Sequence, residues 1–240
     1  MKVLALVLLL AGCASSGPEQ NVWHARVDIH GTMRAVMMEG RTQGRVELSS
    51  LQGDPELVGI GALEGLEGEV VLLDGVAWCT RAEKLGALAT QAGPAKGTQA
   101  TLLAVTSVPR WLKLPVPTGM RLSALEAFVA RAARDHGLAR TETFPFVVEG
   151  AFSDVRAHVL HGRCPYLGAG PPETEPVRRS LPLAHGRLVG FYTELPSGTL
   201  THAGEKTHVH LLIKEGEALV AHVDDLRINA GAYLKLPLPK

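Results

Sequence analysis

The order of elements predicted from this sequence places the chain in the α+β class: mixed or antiparallel β-sheets with few helices. Three observations carry that expectation. Short apolar and β-branched runs recur along the chain, bounded by Gly, Pro and Asp, as strands require. Only one segment has a clear helical period. Two pairs of runs flank glycine-containing polar tips, the signature of hairpins.

The elements follow in order. Residues 27–46 are mixed, with Met33 to Met38 forming a short helix or a strand edge. Leu57 to Leu73 is the first strong β region, ending at Asp74-Gly75, a dipeptide suited to the positive φ values of a tight hairpin turn. Val76-Ala77-Trp78 is the returning strand. Gln91 to Thr98, rich in Gly and Ala, reads as a loop, and Thr101 to Val108 as a β-branched strand. Pro109, Pro115, Pro117 and Gly119 then punctuate the chain and mark a boundary. Ser123-Ala124-Leu125-Glu126 has the form of a capping box. It opens a helix with Leu125, Phe128, Val129 and Ala132 on one face, stopped by Gly137. Phe146 to Val159 returns to strand character, and 168–176 is a Pro/Gly-rich loop. Strands over 188–193, 208–213 and 218–223 complete the pattern.

The N-terminus reads as a targeting segment. Lys2 and the apolar run Val3 to Leu10 precede Leu10-Ala11-Gly12-Cys13, and the run is too short to span a bilayer. This resembles a bacterial lipoprotein signal: residues 1–12 are removed, Cys13 is lipidated, and 13–21 form a tether. The acyl chains anchor the protein to the cell envelope, and Ala14 after the cysteine points to the outer membrane. A plain secretory signal is the alternative. Residues 22–108 are expected to form an N-terminal β-rich subdomain and 109–240 a C-terminal metal-binding one. About 228 residues remain after cleavage, enough for a sizeable core. Lys and Arg total 24 and so do Asp and Glu, giving zero formal charge and no basic footprint for nucleic acid. Cys79 and Cys164 would be left: an exported protein permits a disulfide, and two free buried thiols are equally consistent.

The most informative stretch is Thr207-His208-Val209-His210 with His222 beyond it. Alternate residues of a strand share a face, so His208 and His210 emerge side by side. If Glu215-Gly216-Glu217 is the hairpin loop, antiparallel pairing sets His222 opposite His210, with Cβ atoms roughly 4.5–5.5 Å apart. Three His with an open fourth position is how proteins hold a catalytic zinc or a related divalent transition metal. A loop of other parity would turn His222 to the opposite face. His24, His30, His136, His161, His185 and His202 have no partner at ligand spacing.

Several blocks, in order, resemble the α-acetolactate decarboxylase family. Leu57-Val58-Gly59-Ile60-Gly61-Ala62-Leu63 through Glu69 is similar to its GLGTF..LDGE block, and 70–75 to the strand that follows. Val148-Glu149-Gly150-Ala151-Phe152 with Pro165-Tyr166 resembles R.DG.F…PY, and Leu188-Val189-Gly190-Phe191 its VGF. Thr207 to His210 with Ala221-His222-Val223-Asp224 resembles YHLHF…GGHVLD.

The resemblance implies a mixed α/β metalloenzyme that converts 2-acetolactate to acetoin and CO₂. It implies zinc on His208, His210 and His222, and Glu69 at the active site. The chemistry suits them. Loss of CO₂ from a β-keto acid leaves electrons on the ketone oxygen, which a divalent metal stabilises. A carboxylic acid then protonates carbon, a role open to Glu69 if burial raises its pKa. On position alone Glu69 is a solvent-facing strand end beside a turn.

Three positions depart from the family pattern. Ala62 stands for its threonine. His158 stands for its arginine, with Arg156 two residues earlier on the same strand face as a substitute grip on the substrate carboxylate. The tail from Leu234 to Lys240 holds no counterpart of the family's C-terminal glutamate. Two other readings follow: a relative that keeps the metal site but acts on or binds another small hydroxy-keto acid, and a non-catalytic envelope lipoprotein.

Overall fold

A computed structural model describes residues 23, 26–138, 142–165, 168 and 170–238. The signal segment, tether, Cys13, His24 and Tyr166 lie outside the described residues.

Two antiparallel sheets hold almost all of the regular structure. The first is built from β1 (Asp28–His30), β2 (Val46–Glu47), β3 (Leu57–Leu63), β4 (Glu69–Leu73), β5 (Val76–Ala82), β6 (Leu88–Ala92) and β7 (Gln99–Ser107). Their order is β1-β7-β3-β4-β5-β6, with β2 also on β7. The second holds β8 (Trp111–Pro115), β9 (Met120–Arg121), β10 (Thr143–Val159), β11 (Val177–Thr193), β12 (Thr207–Ile213), β13 (Leu219–Ile228) and β14 (Tyr233–Pro237). Helices α1 (Met33–Glu39) and α2 (Leu125–Asp135) complete the α+β fold expected from the sequence.

The long strand β10 organises the second sheet. One edge pairs with β11 from Thr143 to Val159; the other pairs first with β14, then with β13. Since β11 pairs with β12 and β12 with β13, the pairings β10-β11-β12-β13-β10 close into a band. Phe144, Phe146, Phe152 and Phe191 are fully buried in it. The same core takes Val58, Ile60 and Val71 from the first sheet, so the sheets share one apolar interior. Leu48, Leu63, Val70, Leu72, Ala77 and Cys79 belong to a second cluster.

The hairpin at Asp74-Gly75 forms as read, with φ of 55° and 75° at its two central residues. The β12–β13 hairpin keeps the predicted register, His210 opposite His222. Its last pair is Ile213–Leu219, so its connection is five residues rather than three, still centred on Gly216 at φ 73°. Adding one residue on each side preserves the pairing.

Two open readings are filled in and two expectations need correction. Met33 to Met38 is helix, capped by Thr32, whose Oγ1 accepts from Ala35 N at 3.1 Å. The loop predicted over Gln91 to Thr98 loses its first two residues to β6, an edge strand held by its pairing with β5 rather than by its own propensity. The proline-rich segment carries β8, which pairs with β14; Pro115 ends it at the sheet edge, where a missing N–H costs least. The capping box is absent. Ser123 lies in a 3₁₀ turn, α2 begins without a side-chain cap, and Glu126 Oε2 instead accepts from Lys206 N at 2.9 Å.

Gly61 shows how tightly β3 and β7 meet. A Cβ there would lie 1.9 Å from the Leu102 carbonyl oxygen, so the strands would have to separate. We expect Gly61→Ala to cost about 1–3 kcal/mol, read as a lowered denaturation midpoint at unchanged slope. An unchanged midpoint would show that β3 and β7 part freely.

Candidate metal centre and active site

Two strands and the band closure assemble a row of imidazoles. His158 on β10 pairs with His222 on β13, and His222 pairs with His210 on β12. His208 lies two residues along β12, on the same face. His208 Nε2 is 3.2 Å from His210 Nε2 and 3.2 Å from His222 Nδ1, and the three donor atoms lie within 4.8 Å of one another.

Backbone carbonyls fix the ring orientations. His208 Nδ1–H donates to Leu200 O at 3.0 Å, and His210 Nδ1–H to Val70 O at 3.2 Å. A neutral imidazole has one N–H, so both Nε2 atoms then carry lone pairs. Two lone pairs facing at 3.2 Å have no proton between them, and a cation satisfies both. Burial, reinforced by neighbouring imidazoles, holds His208 and His222 well below the ordinary histidine range, and burial lowers His210 to about 3. Neutral imidazoles are the form that ligates metal. The carbonyls behind them are the usual outer support of such ligands. The cluster therefore fits a divalent transition metal.

Glu69 enters from the other sheet. It opens β4 opposite Ala62, so both face the cavity. Its side chain is buried rather than solvent-facing: Oε1 accepts from Leu160 N at 3.2 Å and Oε2 lies 3.6 Å from His210 Nε2. Burial raises its pKa to about 8; the Leu160 N–H opposes the shift and the charge of Asp224 adds to it.

The remaining wall is apolar. Val36, Leu66, Leu102, Leu160, Cys164 and Met37 line it. Helix α1 is held there by Met33 N on Thr199 O and Arg34 N on Gly198 O. Cys79 and Cys164 are both buried, in separate clusters.

Of the residues singled out from sequence, Glu69, His158, His208, His210 and His222 line one cavity. Arg156 does not. It keeps the strand face of His158, since the β10–β11 register is unbroken from Val155 to Val159, but it is not among the residues lining the cavity. Arg156 is left two-thirds exposed, with Nη2 2.6 Å from Asp225 Oδ2. His202 does line the cavity, contrary to its exclusion on spacing. It comes from the loop between β11 and β12, its ring 6.0 Å from that of His222 and 6.4 Å from that of His208. Burial, with the charge of His158, lowers it to about 4. No strand-period signal marks a loop residue.

The sequence profile of the alpha-acetolactate decarboxylase family matches residues 29–235. This chain belongs to that family. Its fold is that of alpha-acetolactate decarboxylase from Bacillus subtilis strain 168, with a TM-score of 0.64 at 18% identity over 88% of this chain and 85% of that one. Acetolactate decarboxylase from B. subtilis subspecies spizizenii gives 0.65 at 18% identity, over 88% and 85%. A Staphylococcus aureus protein of unknown function, described as similar to alpha-acetolactate decarboxylase, gives 0.62 at 20% identity over 90% and 84%. No curated protein sequence matches. Membership in this family supports a small-molecule substrate and decarboxylase chemistry in general.

Proposed function

We propose that this chain is a zinc-dependent acetolactate decarboxylase that releases CO₂ from 2-acetolactate and leaves acetoin. The observation that carries the reading is one buried carboxyl, Glu69, 3.6 Å from His210 Nε2 in a cavity shared with three convergent imidazoles. His208, His210 and His222 would hold the metal. When bound, a divalent cation supplies positive charge for the oxygen that takes up the electron pair. The bond from C2 to the carboxylate breaks, and its electrons move toward the C3 carbonyl. Glu69 holds the proton that C2 then receives, aimed by the Leu160 N–H on its other oxygen. The apolar wall under α1 excludes water and so limits proton exchange with solvent.

Among the described residues, no Lys or Arg lines the cavity. That observation favours one second reading, in which the substrate is another small hydroxy-keto acid. The protein is assayed with racemic acetolactate after zinc loading, with zinc alone as the control. Acetoin above the control is expected; none above it, at full zinc occupancy, would favour the second reading.

We also propose that Cys13 carries the lipid that anchors the protein to the envelope, outer membrane included. Its support is the Leu10-Ala11-Gly12-Cys13 motif. An acylated N-terminal peptide beginning at Cys13 is the expected mass-spectrometric result.

A further inference from the structure

The cavity is too small, as it stands, for the substrate proposed for it. Its free space is about 40 Å³, whereas a cavity of about 150 Å³ is what admits benzene. A five-carbon hydroxy-keto acid is larger than benzene, so one wall must move. The strand-borne walls cannot do so locally, because Ala62, Glu69, Leu102, His158 and the three candidate ligands stand on paired strands. Helix α1 is different. It contributes Met33, Val36 and Met37 to the cavity but joins neither sheet. Its 7 residues are too few for a helix to persist without its packing. Two backbone bonds tie it to the facing loop: Met33 N to Thr199 O at 3.2 Å and Arg34 N to Gly198 O at 2.7 Å.

The chain on either side of α1 is fixed, and a glycine stands at each junction. His30 pairs with Leu103 in the first sheet, and Thr42 O accepts from Gly65 N at 2.7 Å. Just inside these points lie Gly31 at φ 75° and Gly40 at φ 63°. Residues at the ends of an element that tolerate wide backbone change are where hinges form. Gly40 has room to turn, since a Cβ there would meet nothing within 4 Å. We propose that α1 is a lid: it parts from Gly198 and Thr199, swings about Gly31 and Gly40, and closes Met33, Val36 and Met37 over the bound substrate. The other approach, past His222, leads from a groove lined by Glu126, Glu205, Asp224 and Asp225, whose field repels an anionic acid. Closure shuts water out of the cavity before a proton is delivered. The size argument rests on the decarboxylase reading; the test of the hinge does not.

Cys164 reports the motion without turnover. It is buried in the cavity wall, in the cluster of Val36, Ala62, Leu66 and Leu160, whereas Cys79 is buried in the separate cluster of the first sheet. N-ethylmaleimide labelling of the full chain is followed at each cysteine by peptide mass spectrometry. Cys164 should label roughly a hundredfold faster than Cys79, which waits for global unfolding. The lid can be stapled by combining Arg34→Cys with Gly198→Cys, since a Cβ built on Gly198 lies 3.4 Å from the Arg34 Cβ, close to disulfide spacing. The oxidised staple should slow Cys164 labelling about tenfold or more and leave Cys79 unchanged. Val36→Ala loosens the seat of α1 and should speed Cys164 labelling about tenfold. Equal rates at Cys164 and Cys79 in the native protein would overturn the lid. So would an unchanged Cys164 rate in the oxidised staple, or in Val36→Ala where the staple does not form. A protein that makes no acetoin yet shows these rate changes keeps the lid and loses only the decarboxylase reading.

Discussion

We expect Glu69→Gln to remove most of the proposed acetoin formation, keep the metal, and yield a metal-free protein more stable than wild type in mild alkali. The opposed signs follow from one burial. Gln is nearly isosteric and its Oε1 still accepts from Leu160 N, so the cavity keeps its shape. It has no proton to give to carbon, and kcat should fall by roughly 10²–10⁴, the usual worth of a positioned general acid. The stability arm follows from linkage. Glu69 is raised from 4.5 to about 8 in the folded metal-free protein. The folded state therefore binds more protons than the unfolded state between those values, and stability falls as pH rises through that window. Below the unfolded value the carboxyl is protonated in both states and costs nothing extra. Above about 8 the cost is fully present, on the order of 5 kcal/mol. Gln lacks this term, so the two metal-free proteins should match near pH 4 and diverge in the mutant's favour toward pH 9. Denaturant titration across that range measures the difference. A flat difference would mean that Glu69 titrates normally; retained turnover would remove it from the proton path.

We expect His222→Ala to empty the proposed metal site. His222 contributes Nδ1, one of the three convergent donors, and its ring packs against those of His208, His210 and His158. Its removal leaves two imidazoles and a gap, and bound metal after dialysis should fall below about a tenth of wild type. The change leaves intact the backbone bonds that seat His208 on Leu200 and His210 on Val70. The fold should therefore persist. Metal binding to the native state raises stability by about 2.7 kcal/mol at a hundredfold excess over Kd, and this increment should vanish in the mutant. Wild-type metal content in His222→Ala would dissolve the three-histidine site.

The hairpin carrying the ligands was legible because it is local. His210 and His222 are joined by a short connection whose centre, not its length, sets which face each side chain takes. The His158–Asp224 contact spans 66 positions and depends on β10 bending from β14 onto β13, which no window of sequence contains. Alternation correctly put Arg156 on the strand face of His158, but its guanidinium pairs with Asp225 at the surface instead of entering the cavity. His202 escaped because a loop has no period to read. Burial of Glu69 was invisible for a different reason. It requires the first sheet to dock on the second, and only the family resemblance argued against a solvent-facing strand end. The capping box failed by competition, since Lys206 N offered Glu126 a tertiary partner.

The acid and the ligands ride on different sheets. Glu69 belongs to β4, and every candidate ligand belongs to the β12–β13 hairpin. The distance between them is set by how the sheets dock, through contacts that include Val220 N on Thr80 Oγ1 at 2.7 Å and the Asp74 carboxylate between Arg187 and Lys214. The docking of the two sheets is thus a shared control on both groups. Because Val70 O on the strand of Glu69 also orients His210, a shift in docking at Asp74 would move the acid and the support of one candidate ligand together.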